Sequence, residues 1–170
     1  ILITGTSKDI IQEVMQCMAK AFKVKDLGHL RYFLGIEAAR STSGIYLHQR
    51  KYTLDILNDT GLTAARPSKV PMEQNHNLNT NTSLPLADSD TFLYRRLIGR
   101  LIYLTVTRPD ISYSVQVLSQ YLAKPRVDHL SAAYKVVRYL KQSPGQGLFL
   151  AANARPTLAA FCDSDWGGCQ

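Results

Sequence analysis

Residues 63–90 constrain this chain more than any other stretch, because no regular element of ordinary length can cross them. They contain Pro67, Pro71 and Pro85, scattered Ser and Thr, and Asn75, Asn77, Asn79 and Asn81, with neither a helical nor a strand period. That composition reads as an extended connector, so the fold must be built from what lies on either side. The two sides are patterned differently.

Before the connector, Leu30, Tyr32, Leu34, Ile36 and Ala38 alternate with Arg31, Phe33, Gly35, Glu37 and Ala39, the period of two that a strand shows. Ser41-Thr42-Ser43-Gly44 turns the chain back, and Ile45 and Leu47 alternate with Tyr46 and His48 in the return. Residues 30–49 therefore read as a β-hairpin whose loop is somewhat longer than the tightest type. Ile1 to Gly5, short, apolar and β-branched, reads as a buried strand. Asp9 and Gln12 are spaced as a capping box for an amphipathic helix ending near Phe22. A further helix is expected from about Lys51 to Thr60, stopped by Gly61.

After the connector the pattern becomes helical: residues 91–106, then Pro109 to Leu122 with Pro at a first helical position, then a helix from an Asp128 N-cap to Gln142. Pro144-Gly145 breaks the last of these. Residues 148–151 and 158–162 read as short strands leading to Asp163-Ser164-Asp165-Trp166-Gly167-Gly168.

Charge follows the same division. Residues 1–90 carry 10 Lys and Arg against 9 Asp and Glu, net +1, whereas residues 91–170 carry 10 against 4, net +6. A basic excess confined to one half suits a polyanion such as nucleic acid, and equally a solvated basic surface. No run approaches the roughly 18 apolar residues of a membrane span, and the opening residues lack the order of a signal peptide, so a soluble, intracellular chain is expected. Cys17, Cys162 and Cys169 form no Cys-x-x-Cys pair or Cys/His quartet, which leaves neither a disulfide framework nor a zinc site indicated.

Seven stretches resemble the copia-type reverse transcriptase family in order and spacing: residues 25–28 (KDLG), 32–37 (YFLGIE), 49–52 (QRKY), 94–99 (YRRLIG), 104–111 (LTVTRPDI), 138–141 (RYLK) and 163–168 (DSDWGG). Together they span essentially the whole chain. The resemblance implies an α+β fold: the C-terminal part of a polymerase palm with a primer-grip-like hairpin over 1–63, the extended connector over 64–90, thumb- and connection-like helices over 91–147, and the first strands of a ribonuclease H-like domain over 148–170. In that family a Tyr-Xaa-Asp-Asp motif directly precedes the strand corresponding to Ile1 to Gly5, and its aspartates hold two magnesium ions. That motif is absent here, so the chain is expected to be an internal fragment that neither synthesises DNA alone nor firmly binds Mg2+.

The resemblance also assigns residues. Leu34 and Gly35 fall near the tip of the primer-grip hairpin, where Gly permits close approach of a nucleic-acid backbone or, equally, a β-bulge. Arg95, Gly99 and Tyr103 lie at steps of four, drifting about 40° per step around a helix, and would line a duplex minor groove. Arg96 and Arg100 on the flank would neutralise phosphates. Lys124, Arg126, Lys135, Arg138 and Lys141 extend the basic character. Asp163 would be the first metal ligand of an incomplete ribonuclease H site, although Asp-Ser-Asp before Trp-Gly-Gly also suits a turn. Implied partners are an RNA–DNA hybrid or DNA duplex and the remainder of a Pol polyprotein, with no membrane. The implied location is the cytoplasm, within virus-like particles, or the nucleus. The alternative is a non-catalytic retroelement remnant acting as a nucleic-acid-binding or protein-interaction module.

Overall fold

The computed structural model describes residues 1–74, 78, 83–153, 158, 160 and 162. In chain order it comprises α1 (Lys8–Ala21), β1 (Tyr32–Phe33), β2 (Ile36–Ser41), β3 (Gly44–His48), α2 (Arg50–Asp59), α3 (Asp88–Leu104), a 3-10 turn (Pro109–Ile111), α4 (Ser112–Ser119), α5 (Val127–Gln142) and β4 (Gly147–Ala151). The result is a mixed α+β fold, a helical cluster beside a small antiparallel sheet of order β1-β2-β3-β4.

The core belongs to the helices. On α3, Tyr94, Leu97, Ile98, Leu101 and Leu104 recur at steps of three and four and so share one face. They meet Ile56 and Leu57 of α2, Ile111, Val115 and Leu118 around α4, and Ala133, Val136, Val137 and Leu140 of α5. The Tyr94 hydroxyl crosses this core to donate to the Leu118 carbonyl at 2.7 Å, and burial pushes its pKa up. Helix α2 thus packs with the helices that follow the connector, although it precedes it in sequence.

Helix ends show how local chemistry sets boundaries. α2 closes through Gly61 at φ +68°: the Leu62 N–H donates to Leu57 O at 2.9 Å and the Gly61 N–H to Asn58 O at 3.0 Å, a Schellman closure with Leu57 and Leu62 both packed on the core. The N-cap of α1 is Ser7, whose hydroxyl accepts from the Ile10 N–H, rather than Asp9. Asp128 likewise sits inside the first turn of α5, behind an Arg126 cap, where it complements the helix dipole. The expected helix from Pro109 begins as a 3-10 turn and continues only to Ser119.

Three expectations for the first half are corrected. Ile1 to Gly5 form no strand, and Ile1 and Leu2 are exposed. Residues 30–39 are not one strand, because Leu34 at φ +48° and Gly35 at φ +80° fold it into β1 and β2. Positive φ at both central residues is the geometry of the tight hairpin turn matching strand twist, free for Gly and costing Leu about 1 kcal/mol. The β2–β3 loop is also the tightest type, since Ser41 pairs with Gly44 around Thr42 and Ser43.

β4 (Gly147–Ala151), whose residues 148–151 are expected to open a ribonuclease H-like domain, pairs antiparallel with β3 from His48↔Gly147 to Gly44↔Ala151. A side chain at Gly147 would collide with the Leu47 carbonyl, so the pairing needs glycine there. The expected strand at 158–162 and the Asp163-to-Gly168 motif fall largely or wholly outside the described residues.

The connector is fastened down where described. Ser68 N–H donates to Arg138 O at 3.1 Å, Leu86 N–H to Pro125 O at 3.1 Å and Val127 N–H to Leu84 O at 3.0 Å. Among the described residues no helix is long and apolar enough to cross a membrane.

Candidate nucleic-acid interface

The β1–β2 turn and the exposed side of α3 come together. The Tyr103 hydroxyl donates to the Leu34 carbonyl and would stand 3.4 Å from a Cβ placed on Gly35. Leu34 itself is 72% exposed, so the turn presents a backbone and an apolar side chain to solvent. The Tyr103 ring meets Tyr52 of α2 edge-on, with centroids 5.3 Å apart at 88°. Two residues expected on the hairpin and one expected on the helical track are therefore in direct contact, through a hydrogen bond that spans 69 positions of sequence.

The cations of α3 have partners of their own. Arg95 donates from Nε to Leu122 O at 2.7 Å and from Nη2 to Ala123 O at 3.1 Å, satisfying carbonyls just beyond α4. Arg100 reaches Asp59 at 2.5 Å and Arg96 reaches the same oxygen at 3.4 Å. Gly99, one turn beyond Arg95 on the same stripe of α3, is exposed, with no heavy atom of another element within 4 Å of where its Cβ would stand. The α3 side chains thus combine an open glycine, an aromatic hydroxyl and three arginines already oriented by the fold.

The more diffuse basic residues are tied to the connector. Lys135 pairs with Glu73, Lys141 donates to Ala65 O at 2.6 Å, and Arg126 donates to Ser83 O. His129 is buried, stacked on Tyr121 at 3.9 Å. Its Nδ1 accepts from the Arg126 N–H at 3.0 Å, so Nε2 is left to donate to Leu78 O at 3.0 Å.

Sequence reasoning missed a buried polar clasp. Arg108, 1% exposed, grips Asp110 through Nε at 2.9 Å and Nη2 at 2.7 Å, donates from Nη1 to Ser143 O at 3.0 Å, and lies over the Tyr139 ring at 5.6 Å. Tyr139 donates its hydroxyl to Asp110 at 2.9 Å. Burial raises the Asp110 carboxyl, but hydrogen bonds from Arg108 and Tyr139 and the Arg108 charge outweigh it and hold it below its ordinary range. Tyr139 is raised by burial and by the hydrogen bond and charge of Asp110. Next to the clasp, Thr107 donates to the buried Gln49 side chain at 2.9 Å. The signal available was an Arg-Pro-Asp run before a helix; its use as a fastener depends on Tyr139 and Ser143, far along the chain.

Among the described residues no group of three or more His, Cys, Asp or Glu side chains could hold a metal ion. The described residues do not fit a two-magnesium centre, and Asp163 lies outside them.

Comparison with known proteins now places the chain. Residues 1–74 match the family described as reverse transcriptase (RNA-dependent DNA polymerase). Over 168 residues, 99% of the chain, it is 41% identical to the retrovirus-related Pol polyprotein from transposon RE2 of Arabidopsis thaliana, of which it spans 11%. An uncharacterized mitochondrial protein of the same plant is 37% identical over 99% of the chain and 69% of its own length. The Pol polyprotein from transposon TNT 1-94 of Nicotiana tabacum is 29% identical over 98% of the chain and 13% of its own length. The chain belongs to the retrovirus-related Pol polyprotein family of retrotransposon reverse transcriptases. No solved structure matches it.

Proposed function

We propose that the chain is an internal segment of a copia-type retroelement polymerase that holds the template-primer, an RNA–DNA hybrid or DNA duplex, and does not itself carry out nucleotidyl transfer. The observation that carries this reading is the hydrogen bond from Tyr103 to Leu34, which couples the tip of a primer-grip-like hairpin to a basic, thumb-like helix. Two elements that would touch neighbouring parts of one duplex are then held in fixed register, as positioning of a primer end requires. In the parent polyprotein, synthesis would use Mg2+ held by carboxylates outside this segment, and ribonuclease H cleavage Mg2+ held by Asp163 together with carboxylates outside it, in the cytoplasm within virus-like particles or in the nucleus.

Gly99→Leu tests the reading without a change of charge. The open space at Gly99 accepts the side chain, and replacing a mid-helix glycine favours α3 by roughly 0.5–1 kcal/mol, so the variant stays folded. Duplex affinity should fall about tenfold, ~1.4 kcal/mol, if a nucleic-acid backbone approaches α3 there. Equal binding by the folded variant and the parent would leave only a basic patch.

One observation favours a second reading. α1 carries exposed Ile10 and Val14, with Phe22 exposed just beyond it, and buries no residue of its own, which suits packing against the remainder of a Pol polyprotein. Nuclease-resistant capture of a co-expressed upstream polymerase segment, lost on Ile10→Asp, would support it.

A further inference from the structure

Asp59 stands where a helix least favours a carboxylate. It is the last residue of α2, at the end where carbonyls gather negative partial charge, and the closure there uses backbone N–H groups and the Thr60 hydroxyl, not the Asp59 side chain. Its partners come from α3. Arg100 Nη1 at 2.5 Å and Arg96 Nη2 at 3.4 Å converge on the same Oδ2. Arg100 is fixed further, its guanidinium 5.2 Å from the centroid of the Tyr52 ring and its side chain 17% exposed. Arg96 and Asp59 are far more open, at 56% and 42%, so the meeting point faces solvent.

Two guanidinium groups one helical turn apart, one of them pinned by an aromatic ring, form a fork for an anion of single charge with two free oxygens. A backbone phosphodiester has that charge and that pair of oxygens. We propose that Arg96, Arg100 and Tyr52 form a phosphodiester-binding site for a nucleic-acid duplex, and that Asp59 occupies it in the free chain as an internal competitor. This rests on the duplex-holding reading above. On binding, a phosphate takes the place of the Asp59 carboxylate, which turns out into water. Each encounter must first break the Asp59 contacts, so the parent chain binds more weakly than its arginines would allow.

Asp59→Asn gives a test whose sign separates competitor from scaffold. A side chain that only positioned the arginines would weaken binding when lost, whereas a competitor strengthens it. The variant, the parent and Asp55→Asn, which removes the same charge from an exposed site one turn earlier on α2, are titrated with a labelled RNA–DNA hybrid at two salt concentrations. Asp59→Asn should bind about threefold to tenfold tighter at low salt, with a salt slope steeper by about one, while Asp55→Asn changes affinity less than about twofold. The gain should vanish when Asp59→Asn is combined with Arg96→Gln and Arg100→Gln, compared with those two alone. Circular dichroism melts check folding, and Asp59→Ala repeats the measurement should the amide disturb the helix end. If the parent binds and Asp59→Asn binds no tighter than Asp55→Asn, the masked site is overturned and the duplex reading stands. If no chain binds, both are overturned.

Discussion

Helices α1 and α5 are nearly the same length, 14 and 16 residues, and both are amphipathic, yet α5 buries five residues and α1 buries none. The difference lies in what surrounds them. α5 is packed by α2, α3 and α4 and roofed by the connector; over α1 the described residues supply no core. Periodicity tells which face of a helix is apolar, and only the rest of the fold supplies the surface that covers it.

The largest effect should come from testing that contrast directly. Leu101→Ala, in the helical core, should cost about 2–5 kcal/mol in urea denaturation, whereas Val14→Ala on α1 should stay within about 0.5 kcal/mol. Comparable losses would mean that α1 is part of the cooperative unit after all.

The clasp extends the comparison to polar groups. Asp110→Asn leaves Arg108 buried and half-partnered, and should cost about 2–3 kcal/mol, below the ~3–5 of a fully buried pair because Asp110 still touches water. The pH dependence has a definite sign. The carboxyl is held below its ordinary range, so its stabilisation is present above the unfolded pKa of about 4 and is lost as pH falls through the folded one. The gap between parent and variant should therefore narrow below about pH 4 in denaturation curves taken across pH. A constant gap would show that the ion pair carries none of it.

The smallest effect sharpens the other side. Ser7→Ala removes the cap of α1 and should cost about 0.5–1 kcal/mol locally, read as faster hydrogen exchange over residues 10–21. The urea midpoint should not move, because no residue of α1 lies in the core. A shifted midpoint would join α1 to the cooperative fold.

Much of the helical half was legible because helical spacing, together with Pro and Gly at the breaks, dictated where α3 and α5 run. The hairpin was legible in outline, but neither the tightness of its β2–β3 loop nor the existence of the β1–β2 turn was. Leu34 alternates with its neighbours as a strand residue does, and nothing local announces that it takes positive φ, which the turn and the Tyr103 hydrogen bond impose together. The cations fared similarly. Arg95, Lys135 and Lys141 read as charge offered to a polyanion, yet each has a partner 27 or more positions away that no local pattern reveals. The coupling of Leu34 and Gly35 to Tyr103 was anticipated only as separate assignments, since sequence places residues on elements and not elements on one another.

The pairing of β3 with β4 also sets an order of assembly. Tyr46 donates its hydroxyl to Gly145 O across 99 positions, and the strand partners are equally remote. This is a high-contact-order closure, entropically costly until the intervening helices have shortened the loop. On the ribosome, at ~5–20 residues per second, the free edge of β3 waits about 5–20 s for its partner strand. Through that interval Ile45 and Leu47 stand on an unpaired edge, the feature that draws nascent chains into intermolecular sheets. Late strand closure makes synthesis, more than the finished fold, the stage at which this chain is most exposed to aggregation.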